Sequence, residues 1–163
     1  MEGMGAGSNF MNTFELERKK HKEFYLPFYQ EKNWIVHEDN ILKEIKSDWD
    51  VRLEVFAGDI KKVDEKVRKG EFDDCLIEII QDIKTQNWGW LFGDKDWVLY
   101  GSWANIETIR PSSLYLIDMF QLKQYIFKLD GFLQTLITSK NWGTTWNIIR
   151  TWGELKSIAQ KII

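Results

Sequence analysis

Between residues 49 and 56 the chain alternates: Trp49, Val51, Leu53 and Val55 fall on one side of an extended segment, and Asp50, Arg52 and Glu54 on the other. After the turn residues "AGD" at 57–59, "IKKVDEKV" returns as the partner strand of a hairpin. The run "CLIEIIQ" at 75–81 is apolar almost throughout, which predicts a strand covered on both faces and interrupted by one charge, Glu78. "DWVLYGSW" at 96–103 is a further strand after a turn near Gly93, "NWIVH" at 33–37 a short one, and "TTWNIIR" at 144–150 the last.

Helical spacing fills the gaps. Asn12 or Thr13 caps a first helix, with Glu15 three residues after Asn12 in the capping-box position, and "FELERKKHKEFY" runs on until Pro27 kinks or ends it. "NILKEIKSD" predicts one helical turn or two. After Pro111, Ser112 or Ser113 caps a helix through "LYLIDMFQLKQYIFKL", in which Leu114, Ile117, Tyr125 and Leu129 recur at helical intervals and which Gly131 stops. Thr151 and Glu154 form a second capping box, opening a closing helix in "TWGELKSIAQKII". Helix, several strands, helix, strand, helix is the order of an α/β or α+β domain with a central mixed sheet flanked by helices.

Composition narrows this little. A chain of 163 residues, 44% hydrophobic and 29% charged, is near the size and makeup of one folded domain. The start "MEGMGAGSNF" reads as a flexible tail, so residues 1–11 are set apart from a domain over 12–163, and Met1, Met4 and Met11 can each serve as the start. No apolar stretch approaches the ~18 residues of a membrane span, and no secretory signal is present. The single Cys75, inside an apolar run, suits a reducing cytoplasm. Net charge −3 and a pI near 5.5 give a field that does not draw polyanions. The basic runs "RKKHK" at 18–22 and "KVRKG" at 66–70 read as solvated faces. Of nine Trp, most belong in the core; Trp88, beside Gly89 in a turn, is the best candidate for exposure.

The chemistry lies in carboxylates and lysines. His21 and His37 are the only histidines, which excludes a His-rich zinc site and leaves a Ser-His-Asp triad little support; no P-loop is present. On a strand, Asp64 and Lys66 share a face and Glu65 takes the other. A two-residue loop would pair Leu53 with Asp64, leaving Asp50 and Asp64 on opposite faces. A three-residue loop, or a bulge at Gly58, pairs Arg52 with Asp64 and Asp50 with Lys66, and then all three charges share one face. Two carboxylates, water and a phosphate oxygen suit Mg²⁺ or Mn²⁺, with Lys66 placed to orient the attacking hydroxide or stabilise developing charge. The acid-x-lysine triplet also occurs at Glu17-Lys19, Glu44-Lys46, Asp59-Lys61, Asp82-Lys84 and Glu154-Lys156, so position rather than the triplet singles out Asp64.

Asp50, then Asp64-Glu65-Lys66, then Glu78 resembles the PD-(D/E)XK, or restriction-endonuclease-like, nuclease superfamily. "VDEKVRKGEFDDCLIEI" followed by "GWLFGDKDWVLYGSW" is similar to a small, mostly microbial and phage subgroup in which a V-D-E-K strand precedes a strand with an acidic residue and a Gly-Trp turn. The resemblance covers about residues 12–103; no Pro precedes Asp50. It implies a Mg²⁺-dependent endonuclease acting on DNA, with Asp50, Asp64 and, as an accessory acid, Glu78 holding the metal, and Lys66 as the lysine. Glu15 or Glu17 on the first helix would complete the site. The acidic net charge implies that a homodimer, a protein partner or a structured substrate supplies further contacts.

Rival readings stand beside it. Glu78, Asp82 and Lys84 share parity on one strand, and with Asp64 as first acid they make a site one strand later. Gln121 and Tyr125 on the following helix match a motif of one nuclease branch. A non-catalytic nuclease-fold adaptor or a Trp-rich binding module, stacking on bases through Trp88, is the alternative of a different class.

Overall fold

The computed structural model describes residues 13–82, 87–129, 137–138 and 145–163. The tail, the Asn12 cap, Lys84, Gly131 and Thr144 lie outside the described residues.

One helical rod opens the described residues: α1 (Thr13–Lys20), a π-helical turn (His21–Tyr25) and α2 (Leu26–Glu31) follow without a break. Pro27 does not end it. The π turn, in which the Leu26 amide reaches back to the His21 carbonyl, widens the helix just before Pro27, and Pro27 then sits in the first turn of α2, where a missing N–H is tolerated.

Among the described residues, ten strands form two sheets. They are β1 (Ile35–Asp39), β2 (Val51–Phe56), β3 (Asp59–Lys69), β4 (Asp74–Asp82), β5 (Asn87–Trp88), β6 (Trp97–Trp103), β7 (Ser113–Asp118), β8 (Ile137–Thr138), β9 (Trp146–Thr151) and β10 (Ala159–Lys161). A helix, α3 (Met119–Phe127), follows β7. The central sheet has the order β1-β2-β3-β6-β7-β10 and is mixed, because β3 and β6 run parallel while the other pairs are antiparallel. The fold is thus α+β, with a mixed central sheet and helices.

Four expectations need correction. "CLIEIIQ" is not a central strand covered on both faces; it forms β4 of a second sheet, β5-β4-β9-β8, with Cys75, Ile77 and Ile79 buried and Leu76, Glu78 and Ile80 half-buried. The segment "LYLID" is strand rather than helix, since the backbone of β6 offers it a complete antiparallel ladder from Trp97–Asp118 to Ser102–Ser113. The helix begins later, where Asp118 caps α3 by accepting the Gln121 amide at 3.0 Å. The closing helix fails although its capping box forms, with Thr151 N donating to Glu154 Oε1 and Glu154 N to Thr151 Oγ1. One turn of hydrogen bonds is a poor nucleus, and the free edge of β7 takes Ala159–Lys161 as β10 instead. "NILKEIKSD" forms turns only, as in Lys43 N to Asp39 O.

Each face of the central sheet carries a core. Phe24, Tyr25, Phe28 and Tyr29 of the helical rod pack on Val51, Leu53, Val63, Leu99 and Trp103. On the opposite face, Val98, Tyr100 and Ile117 meet Cys75, Ile77 and Ile79 of β4, with Met119, Leu122 and Ile126 of α3. Parity along β3 therefore sorts its side chains: Val63, Glu65 and Val67 turn to the rod, Asp64 and Lys66 to the second sheet.

Candidate active site

The β2–β3 hairpin turns through Ala57 and Gly58, and Gly58 adopts φ +78°, a left-handed conformation that favours glycine. A bulge at Val55 then shifts the ladder, so Arg52 pairs with Lys62 and Val51 with Val63. Neither pairing weighed from the sequence occurs. The bulge lies on the first strand rather than at Gly58, and the register is two residues beyond the Arg52–Asp64 alternative. Two residues preserve parity, so the consequence drawn from that alternative stands: Asp50, Asp64 and Lys66 come to one place.

Asp50, just before β2, is tied to β3 twice. Its amide donates to Val63 O at 2.9 Å, and its Oδ2 accepts the Glu65 amide at 2.7 Å. The Asp50 and Asp64 carboxyls line the same cavity and each shifts the other's titration. Burial, then the adjacent Asp64 charge, raises the Asp50 carboxyl well above the usual range. Asp64 is also buried, which by itself would raise it, but Lys66 and Lys95 outweigh burial and hold it at about 2. Lys66 Nζ and Lys95 Nζ each lie 3.0 Å from Asp64 Oδ2. Burial would lower Lys66, yet Asp64 and Asp50 raise it, so it stays a cation.

Around this pair is a cavity of about 490 Å³ that Glu17, Asp48 and Glu78 also line, with Lys46 on its wall. Glu17 comes from α1 and Glu78 from β4, and burial raises both carboxyls, with Lys66 the leading opposing influence. Gly89 makes the second wall. A Cβ there would lie 2.2 Å from Glu78 O, so only glycine lets the Trp88–Trp90 turn cross β4 this closely. The Gly89 amide bonds Ile79 O at 2.8 Å and the Leu91 amide bonds Glu78 O at 3.1 Å.

Compared with family models, curated proteins and solved structures, the chain has no match.

The site thus gathers Asp50, Asp64, Lys66, Glu78 and Glu17. Glu15 is exposed on α1, and Asp82, near the end of β4, pairs in register with Asn87. With Lys84 outside the described residues, the one-strand-later rival keeps only Asp64 and Glu78 in the pocket. Gln121 is exposed on α3, its amide spent on the Asp118 cap. Lys95 was missed in the sequence, where it sits between two aspartates in "GDKDW" and reads as loop polarity.

Behind the site stands a second network that sequence patterning placed in solvent. "RKKHK" is not a solvated face: Lys20 and His21 are fully buried. Lys20 Nζ donates to Glu23 Oε1 at 2.6 Å and Thr108 O at 2.7 Å. His21 Nδ1 lies 2.7 Å from Glu65 Oε1, its Nε2 lies 2.7 Å from Asp39 Oδ2, and Tyr29 donates to Glu65 Oε2 at 2.5 Å. Burial would lower His21, but Glu65 and Asp39 outweigh it and raise the imidazole. An imidazole between two carboxylates donates from both nitrogens as the imidazolium. Tyr25 adds a hydrogen bond to Lys66 O at 2.7 Å. The π turn aims these side chains at β3, so Glu65 and the Lys66 backbone are gripped from one side while Asp64 and the Lys66 side chain work on the other.

Does this donor set fit a divalent cation? Among the described residues no three carboxylate, imidazole or thiol groups converge as a preformed metal centre. Asp50 and Asp64 are a pair, to which Glu17 and Glu78 couple through charge. Lys66 and Lys95 offset Asp64, and a divalent cation would balance the carboxylates that the lysines leave over. The cavity has five carboxylates (Glu17, Asp48, Asp50, Asp64 and Glu78) against three lysines and neither His nor Cys, a hard-oxygen lining that suits Mg²⁺ or Mn²⁺ rather than zinc. On chemistry the residues fit.

Proposed function

We propose that the chain is a Mg²⁺- or Mn²⁺-dependent nuclease, hydrolysing DNA phosphodiester bonds at the Asp50–Asp64–Lys66 pocket. The convergence of Asp50, Asp64, Glu17 and Glu78 on one cavity, with Lys66 3.0 Å from Asp64, carries the reading. A restriction-endonuclease-like arrangement is supported by the order of parts: a helix bearing Glu17, a hairpin bearing the acids and lysine, and β6 running parallel to β3. The buried Cys75 supports action in a reducing cytoplasm.

Asp50 and Asp64 would hold the cation, flanked by Glu17 and Glu78. When bound, it offsets charge on the phosphate and lowers the pKa of a coordinated water. Lys66, the more open of the two lysines, stabilises negative charge developing on a phosphate oxygen. Glu78, on β4, would bring a further carboxylate oxygen to the cation from the second wall of the cavity. The excess of acids in the cavity disfavours bare phosphate, so a homodimer or protein partner would add affinity for the strand.

Incubating supercoiled and single-stranded DNA with the full chain in Mg²⁺, Mn²⁺ or chelator tests this. Cleavage that needs metal and disappears in folded Asp64→Asn and Lys66→Met supports the nuclease. Cleavage unchanged in Asp64→Asn contradicts it, and metal-dependent binding or stacking with no cleavage of any strand favours the adaptor reading, for which the exposure of Trp88 speaks.

A further inference from the structure

The pocket has an aromatic lip that hydrolysis does not require. Trp88 is 66% exposed although it is a large apolar side chain, and it lines the same cavity as Asp50, Asp64 and Lys66. Its ring centroid lies 4.9 Å from that of Phe92, which also lines the cavity, and Phe92 is 6.0 Å from Phe127. The turn is fixed by the Gly89 crossing of β4, so the two neighbouring indoles take different roles: Trp90 is buried beneath Lys66, whose Nζ is 6.0 Å from its ring, and Trp88 is left facing outward. Asn87 adds an amide at the same lip.

Resting on the nuclease reading, we infer that Trp88 and Phe92 form a stacking subsite for an unpaired nucleobase next to the scissile phosphate, so that the substrate is a single strand or a single-stranded segment of a larger DNA. A base inside a duplex has both faces covered by its neighbours and offers none to an indole; an unpaired base has an open face. Charge points the same way. A duplex is held chiefly through its phosphates, which a chain of net charge −3 with an acid-rich cavity attracts poorly, whereas stacking is independent of that field. Lys66 and Lys95 at the cavity floor and the rings at its lip complement the two ends of one nucleotide, phosphate inward and base outward.

The test is binding without cleavage, read by fluorescence anisotropy of a fluorescein-labelled deoxythymidine oligomer on the full chain with Ca²⁺ in place of Mg²⁺. The single strand should bind at least tenfold tighter than a blunt duplex of equal length. Trp88→Ala should weaken single-strand binding about tenfold and leave duplex binding unchanged, and Trp88→Phe should restore most of the loss. Phe92→Leu should produce a smaller loss in the same direction. Equal binding of strand and duplex, or no effect of Trp88→Ala, overturns the subsite, as does competition by thymidine monophosphate as strong as by the oligomer. Because no bond is cut in this assay, failure of the subsite is separate from failure of the hydrolase, which the Asp64→Asn cleavage assay reads.

Discussion

Lys95 Nζ lies 3.0 Å from Asp64 Oδ2, the same oxygen that Lys66 approaches at 3.0 Å. The two lysines are not equivalent. Lys95 has 4% of its side chain exposed and is anchored a second time to Trp90 O at 3.0 Å, whereas Lys66 has 26% exposed and faces the cavity. Lys95 is the fixed counter-charge, and Lys66 is free to turn to a phosphate. Lys95→Met should therefore cost about 3 kcal/mol of stability, as expected when one partner of a buried pair is removed. Asp64, depressed to about 2 in the fold, contributes stability that is present above its ordinary 3.8 and is lost as pH falls through about 2. Without Lys95 that loss should begin at higher pH, which urea denaturation across acid pH will record. Lys66→Met should cost less stability and reduce cleavage by about 10²–10³-fold.

For the proposed cation, Asp50 would set a pH dependence. Its carboxyl is raised by burial and by Asp64, so at moderately acid pH a divalent ion must displace a proton to bind. Apparent Mn²⁺ affinity should fall about tenfold per pH unit below that raised pKa and level off above it. Calorimetry in buffers of different ionisation enthalpy will detect the released proton. Asp50→Asn should abolish the release and weaken Mn²⁺ binding by more than about tenfold.

His21 links pH to stability with the opposite sign. Its folded pKa is raised above 6.5, so the stability it contributes is fully present below pH 6.5 and is lost as pH rises through the folded value. The protein should be less stable at about pH 9 than at about pH 6. His21→Gln leaves Glu65 and Asp39 without their cation and should cost about 3 kcal/mol near neutral pH, with a flatter alkaline limb in urea denaturation.

What patterning could reveal was the hairpin and the parity along it. Alternation placed β2, β3, β6 and β9, and a period of two put Asp64 and Lys66 on one side whatever the exact register. The bulge at Val55 was hidden because Val55 and Phe56 are both apolar and either can fill a pleat, so the ladder came out two residues from the Arg52–Asp64 pairing and three from the Leu53–Asp64 pairing. "LYLID" and the last residues satisfy helical spacing, and only the open backbone edges of β6 and β7 decide for strand. The burial of Lys20 and His21 was equally invisible, because it depends on a π turn and on Glu65 across the rod. Trp88 could be picked out beside its glycine, whereas Lys95 could not.

Gly89 tests whether the second wall of the cavity is built by close approach. In Gly89→Ala the new Cβ meets Glu78 backbone, which cannot swing aside as a side chain would. The variant should lose about 1–3 kcal/mol by overpacking and, where it remains folded, should cut DNA more slowly because Glu78 and Trp88 move together. Circular-dichroism melting alongside the cleavage assay will show both.

The most direct measurement is an anomalous difference map from crystals grown at neutral pH and soaked in Mn²⁺. The nuclease account predicts one peak bridging Asp50 and Asp64 inside the cavity, absent from crystals of Asp64→Asn. A cavity that stays empty at saturating Mn²⁺, with the ion bound elsewhere or nowhere, would contradict it.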